Sequence, residues 1–250
     1  GDRDEAEGAY RRAVSVLDTD DPAGRSRLED VLRSLAQLLN RAGRRDEAVT
    51  TFERVVHLHE ARSRLDDPLL AFDILQYVQM LVKRTSDHGA LVQRAWQILE
   101  EARRRRDPRA MFAYLHWAGV CDRVGDVPEA VRNYSVVTEL FETSGGEALV
   151  AGPAFVSMAA GSYEAIARLR DMRDGNWTAA ARRLRTAVDL YGGIGRHADA
   201  ADAEISLQVV ARRSGASLDA HRLQELCELL ERLGDARAVR GRELLNEAST

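Results

Sequence analysis

The 250-residue chain is short of proline, with 5, and of aromatic residues, at 6%, which argues against a β-sandwich. It is also short of cysteine. The two present, Cys121 and Cys227, sit inside apolar helical patterns, where a free thiol behaves as a small hydrophobe rather than half of a disulfide. No run approaches the roughly 18 apolar residues needed to cross a bilayer, and residues 1–20 carry no signal-peptide pattern. Charge of one sign is lacking too: a net charge of −4 gives no reason to expect nucleic acid or an anionic membrane as a partner. Lysine is almost absent. Of 36 basic residues only Lys83 is lysine, a bias that suggests a GC-rich, bacterial genome. What remains, 45% hydrophobic and 30% charged residues, is the composition of a folded helical protein, expected in the cytoplasm.

The apolar residues recur at helical spacing. Leu35, Ala36 and Leu39 share one face, Gly43 supplies a turn, and Ala48, Phe52 and Val55 resume the spacing. This reads as two amphipathic helices whose small Ala48 allows close approach beside Phe52. A second copy follows, in which Gly125, Glu129, Ala130 and Tyr134 match Gly43, Glu47, Ala48 and Phe52 position for position. Gly175, Ala180 and Leu184 repeat the second helix, and the first 13 residues hold that half-pattern alone. Turns at Gly1, Gly43, about Thr85, Gly125, Gly175 and Gly215 are separated by 42, 42, 40, 50 and 40 residues, and a fixed period signals a repeat array. The predicted units are 1–24 (a half repeat), 25–65, 66–106, 107–146, 147–194, 195–233 and 234–250 (an end helix). The long interval places an insertion near 147–161, broken at Gly152-Pro153. A chain that opens in the middle of a unit is expected to be excised from a longer protein.

Leu35-Ala36, Leu39, Gly43, Ala48 and Phe52 in one unit, and Trp117-Ala118, Cys121, Gly125, Ala130 and Tyr134 in another, resemble the tetratricopeptide repeat (TPR) in a long form of about 40 to 42 residues. The resemblance covers nearly the whole chain and is weakest near Thr85. It implies an all-α, right-handed superhelix of antiparallel helix pairs, an α-solenoid, whose first helices line a concave groove. It also implies kinship with the sensor and scaffold regions of bacterial regulatory proteins. In the family register the groove positions are Asp30, Arg33, Gln37, Asn40 and Arg41 in one unit. In the other they are Phe112, Leu115, Gly119, Asp122 and Arg123. Polar groups beside apolar patches suit a protein or peptide partner. The family's carboxylate grip, a basic residue followed four positions later by asparagine, is absent: Gln37 follows Arg33 and Gly119 follows Leu115.

Other clusters read as structure. Arg103 to Arg106 suits a helix C-terminus. His57 and His59, two residues apart, point to different sides of a helix and form no chelate. Asp18, Asp20 and Asp21 lack the glycine and distal glutamate of a calcium loop. Trp96, Trp117 and Trp177 fall at packing positions. There is no glycine-rich phosphate loop, nucleophile elbow or paired-cysteine motif, and neither a catalytic role nor a cofactor or metal is expected. The expected function is a protein-binding scaffold or regulatory domain with flanking domains in its parent chain. The alternatives are a small-ligand sensor, with the insertion roofing a pocket, and a self-assembly module.

Overall fold

The computed structural model describes residues 2–18, 22–62, 65–81, 89–144 and 152–248. The expected turn around Thr85, the acids Asp20 and Asp21, and the start of the expected insertion lie outside them. Among the described residues every regular element is helical. The chain divides into two compact units, 1–113 and 114–250.

The first unit holds α1 (Asp2–Leu17), α2 (Pro22–Arg41), α3 (Arg45–Arg62), α4 (Pro68–Leu81) and α5 (Gly89–Arg104), each packed on the next. Asp67 starts α4 by accepting the Leu69 N–H at 3.0 Å, with Pro68 at the first position. The wide apolar face of α4 is covered as its sequence requires, burying Leu70, Ala71, Ile74, Leu75 and Val78. A short 3₁₀ turn, Pro108–Ala110, capped by Asp107, leads into α6 (Met111–Val124), most of which belongs to the second unit.

The second unit continues with α7 (Val127–Thr143), α8 (Pro153–Ile166), α9 (Trp177–Gly193), α10 (His197–Arg213), α11 (Ala220–Arg232) and α12 (Ala238–Ala248). Residues 153–161, expected in an insertion, are instead the first half of α8. Phe155, Val156, Ala159 and Ala160 are buried there. Each apolar cluster joins neighbouring helices only. Ala118, Cys121, Ala130, Tyr134, Ala165 and Leu169 tie α6 and α7 to α8, and Ile205, Leu223, Leu226, Leu230 and Leu244 tie α10 to α11 and α12. That is how a repeat protein builds its core.

One turn geometry recurs. Gly43, Gly125, Gly175 and Gly215 have φ between 70° and 84°, and the N–H that follows each bonds five residues back: Arg44 to Leu39, Asp126 to Cys121, Asn176 to Asp171, Ala216 to Ala211. This is the Schellman helix end, which uses carbonyls the helix leaves unsatisfied. Five residues after the first three glycines stand Ala48, Ala130 and Ala180, all fully buried, and nine after stand Phe52, Tyr134 and Leu184, all in the core. Burying a side chain the size of Phe52 contributes roughly 1.5–3 kcal/mol. After Gly215 the second helix begins three residues later than in the other pairs, at Ala220 with Asp219 as its cap, and Leu223 takes the inward position.

Candidate functional site

In the first unit the expected binding face of α2 is partly spoken for. Arg33 donates from Nε and Nη2 to the two carboxylate oxygens of Asp73 on α4, at 2.8 and 2.9 Å, and from Nη1 to Asp30 at 2.7 Å. His59 of α3 lies 2.8 Å through Nδ1 from the same Asp73 carboxylate. Both His59 and Asp73 are buried. Burial alone would push the Asp73 carboxyl up, but hydrogen bonds from His59 and Arg33 outweigh it and hold the carboxyl below the usual range. Gln37 donates to Gln76 of α4 at 3.1 Å. Arg33 and Gln37 therefore join helices, while Asp30, Asn40 and Arg41 are exposed. Phe112, at the far end of this unit, stacks at a tilt on Phe72 with 6.2 Å between ring centroids. His57 is exposed on the other side of α3 from buried His59.

In the second unit Leu115 packs against the α6–α8 core and Arg123 is exposed. Asp122 accepts from Arg168 of α8 at 2.7 Å. Arg168 belongs to a set the sequence reading missed. Residues Ala167–Asp171 form a π turn at the end of α8, closed by the Met172 N–H on the Ala167 carbonyl at 2.8 Å. A π turn adds one residue to a helix. Counted through it, Gly161, Glu164, Arg168 and Met172 occupy the positions that Phe112, Leu115, Gly119 and Asp122 hold in α6, and Asp30, Arg33, Gln37 and Asn40 in α2.

All four line one cavity of about 340 Å³, which Ser206 of α10 and Arg240 of α12 complete. Tyr134, Ala165 and Leu184 give it an apolar floor. Beside it Asp202 of α10 lies 3.6 Å from Arg240 and 3.8 Å from Arg237. Burial, and then repulsion from Asp202, push the Glu164 carboxyl up to about 7, against the pull of Arg240 and Arg237. Burial likewise pushes the Tyr191 hydroxyl up to about 12. A perturbed carboxyl in a concave, mixed-polarity pocket marks a binding site more often than a bare surface does. Among the described residues no group of histidine, cysteine and carboxylate side chains is arranged to hold a metal ion.

These features define an all-α helical-repeat protein built from TPR-like helix pairs. The structure is similar to BtubC (BKLC) from P. vanneervenii, with a TM-score of 0.67 and 17% identity over 98% of this chain and 93% of that one. It is matched also to the TPR2AB-domain:pHSP90 complex of yeast Sti1, with a TM-score of 0.40 and 15% identity over 99% of this chain and 98% of that one. No family model and no curated protein matches the sequence. No described helix is long and apolar enough to cross a membrane.

Proposed function

We propose that this chain is a protein- or peptide-binding scaffold, acting without catalysis as the regulatory or interaction domain of a longer cytoplasmic bacterial protein. The observation that carries the reading is the second-unit cavity, in which the charged Glu164, Arg168 and Arg240 and the hydroxyl of Ser206 surround the apolar floor of Tyr134, Ala165 and Leu184. An extended peptide presents both polar backbone and apolar side chains, so it needs such a mixture. The exposed Asp30, Asn40 and Arg41 of the first unit, and Asp122 and Arg123 of the second, are the further contacts this reading assigns. The net charge of −4 favours a protein partner over nucleic acid. The arginine bias supports the bacterial origin.

The test is selection of a random peptide display library on the immobilised 250-residue chain. A family of related sequences whose binding changes on Arg168→Ala or Arg240→Ala supports the reading, and no enrichment over an unrelated helical protein overturns it. A small-ligand sensor is the second reading, favoured by a cavity volume within the range of small-molecule sites. It takes the lead if metabolite extract raises the melting temperature while no peptide is enriched.

A further inference from the structure

One charge around the second-unit cavity is unbalanced. Arg168 is held by Asp122 at 2.7 Å, Arg237 by Asp235 at 2.6 Å and Asp199 at 3.0 Å, and Arg240 faces Asp202 at 3.6 Å. Every guanidinium at this site thus has a carboxylate. The Glu164 side chain accepts no hydrogen bond and has no cation within 4.0 Å among the described residues. The groups that face it are Asp199 and Asp202 on α10, Arg240 on α12 and Arg237 in the turn before it, and Tyr191 on α9, with Arg168 one turn further along the chain from Glu164. An anionic ligand would have to pull Arg168 and Arg240 from their partners and sit against two carboxylates. A cation needs no such rearrangement and supplies what Glu164 lacks.

The apolar part of the lining fits the rest of such a ligand. Met172 and Leu184 line the same cavity, and the stems of lysine and arginine side chains lie readily along apolar surface while the head pairs with a carboxylate.

We infer that this cavity receives a basic side chain, lysine or arginine, of an extended partner segment, its stem on Met172 and Leu184 and its cationic head on Glu164 with Asp202 beside it. The inference rests on the peptide-binding reading and adds the residue type that the partner must carry. It has a pH signature. With Glu164 titrating at about 7, the ionised, binding-competent fraction rises about tenfold between pH 6 and pH 8, and apparent affinity rises with it.

The experiment takes peptides enriched from the display library on the intact chain at pH 8, resynthesised with a fluorescent label. Each is compared with a version whose lysine or arginine is replaced by norleucine, on the natural chain and on Glu164→Gln. The expected result is a loss of tenfold or more with norleucine, a similar loss on Glu164→Gln, and disappearance of the pH dependence in that variant. Circular dichroism and a second variant, Glu164→Ala, separate loss of the carboxylate from loss of fold. Binding that needs no basic residue, or that is unchanged in both folded Glu164 variants, overturns this inference and leaves peptide binding standing. Failure to enrich any peptide overturns peptide binding and this inference with it.

Discussion

Arg33 and Asp73 form a two-point ion pair between α2 and α4, at 2.8 and 2.9 Å, and the carboxylate side of the pair is fully buried. His59 completes the arrangement from α3, so one carboxylate satisfies side chains of two other helices. Removing one partner of a buried pair strands the others without a carboxylate. Asp73→Asn should therefore cost about 3–5 kcal/mol in urea denaturation, and a loss below about 1 kcal/mol would refute a structural role. Because Asp73 is held below its ordinary value, its contribution is present above about pH 4, the unfolded carboxyl's range, and is lost as pH falls through the folded value. The natural chain should then lose stability in acid more steeply than Asp73→Asn.

The same pair shows where reading the sequence stops. Helical spacing places Arg33 and Gln37 on the face of α2 opposite its core, and that much can be read from one helix. Which residues of α4 approach that face depends on how the helices pack, and Asp73 and Gln76 stand about forty residues away, near a turn that the repeat pattern leaves blurred. Substituting Arg33 and Gln37 in a binding assay disturbs helix packing as well. Asn40→Ala with Arg41→Ala tests the first unit's surface without that cost: circular dichroism and melting should be unchanged within about 0.5 kcal/mol.

Glu164 reverses the sign found for Asp73. Its folded value of about 7 lies above the unfolded range near 4.3. The contribution of this carboxyl to stability is full below about pH 4, declines through the interval, and is gone above about pH 7, where an unpaired negative charge stands in the cavity. Glu164→Gln, which keeps the shape and removes the charge, should raise the melting temperature at pH 8 relative to the natural chain. The gain should shrink as the scan moves to pH 5. A variant equally stabilised at both values would show that ionisation is not the cause.

Gly241 has no room for a side chain. A β-carbon there would stand 2.5 Å from Cys227 Sγ and 3.2 Å from Ile205 Cδ1, both in the tightly packed joint of α10, α11 and α12. Gly241→Ala should cost about 1–3 kcal/mol through overpacking and raise hydrogen exchange in α12 before the rest of the second unit. Gly192→Ala is the control. Its β-carbon meets nothing within 4 Å, and it lies in α9, so alanine should be neutral or stabilise by up to about 1 kcal/mol. Equal losses in the two would remove the packing argument.

The repeat itself was largely legible. Glycine at 43, 125, 175 and 215, and alanine five residues after the first three, are local choices that one conformation demands, so the residues announce the turn and the close approach. The cavity was not. Its polar residues come from α8, α10 and α12, each on a helix where a charged residue reads as solvated. The π turn in α8 also moves Gly161, Glu164 and Arg168 one place off the spacing that holds in α2 and α6. Nothing in the composition of Ala167 to Asp171 marks that extra residue. The break after Gly215 was blurred for a plainer reason: three added residues displace the inward positions of α11.

One turn uses the recurring geometry without the residue that favours it. Arg106 has φ of 57°, and the Asp107 N–H bonds the Ala102 carbonyl at 2.9 Å, as the glycine turns do. A side chain in this left-handed region brings its β-carbon against the following carbonyl, at a cost of about 1–2 kcal/mol. The Arg106 side chain is exposed and makes no hydrogen bond or ion pair among the described residues, so replacing it forfeits no contact. Arg106→Gly should stabilise the first unit by about 0.5–1 kcal/mol, part of the relief being offset by glycine's greater freedom in the unfolded chain. In a chain of this size that is a rise of a few degrees in melting temperature. Arg106→Ala separates the two causes, since alanine removes the fourth positive charge of Arg103 to Arg106 but keeps the β-carbon. If alanine gives the same gain as glycine, charge repulsion in the arginine run is the source and the backbone argument fails. If glycine alone stabilises, the turn is strained at this one position, and the Schellman geometry rather than the glycine is what the repeat requires.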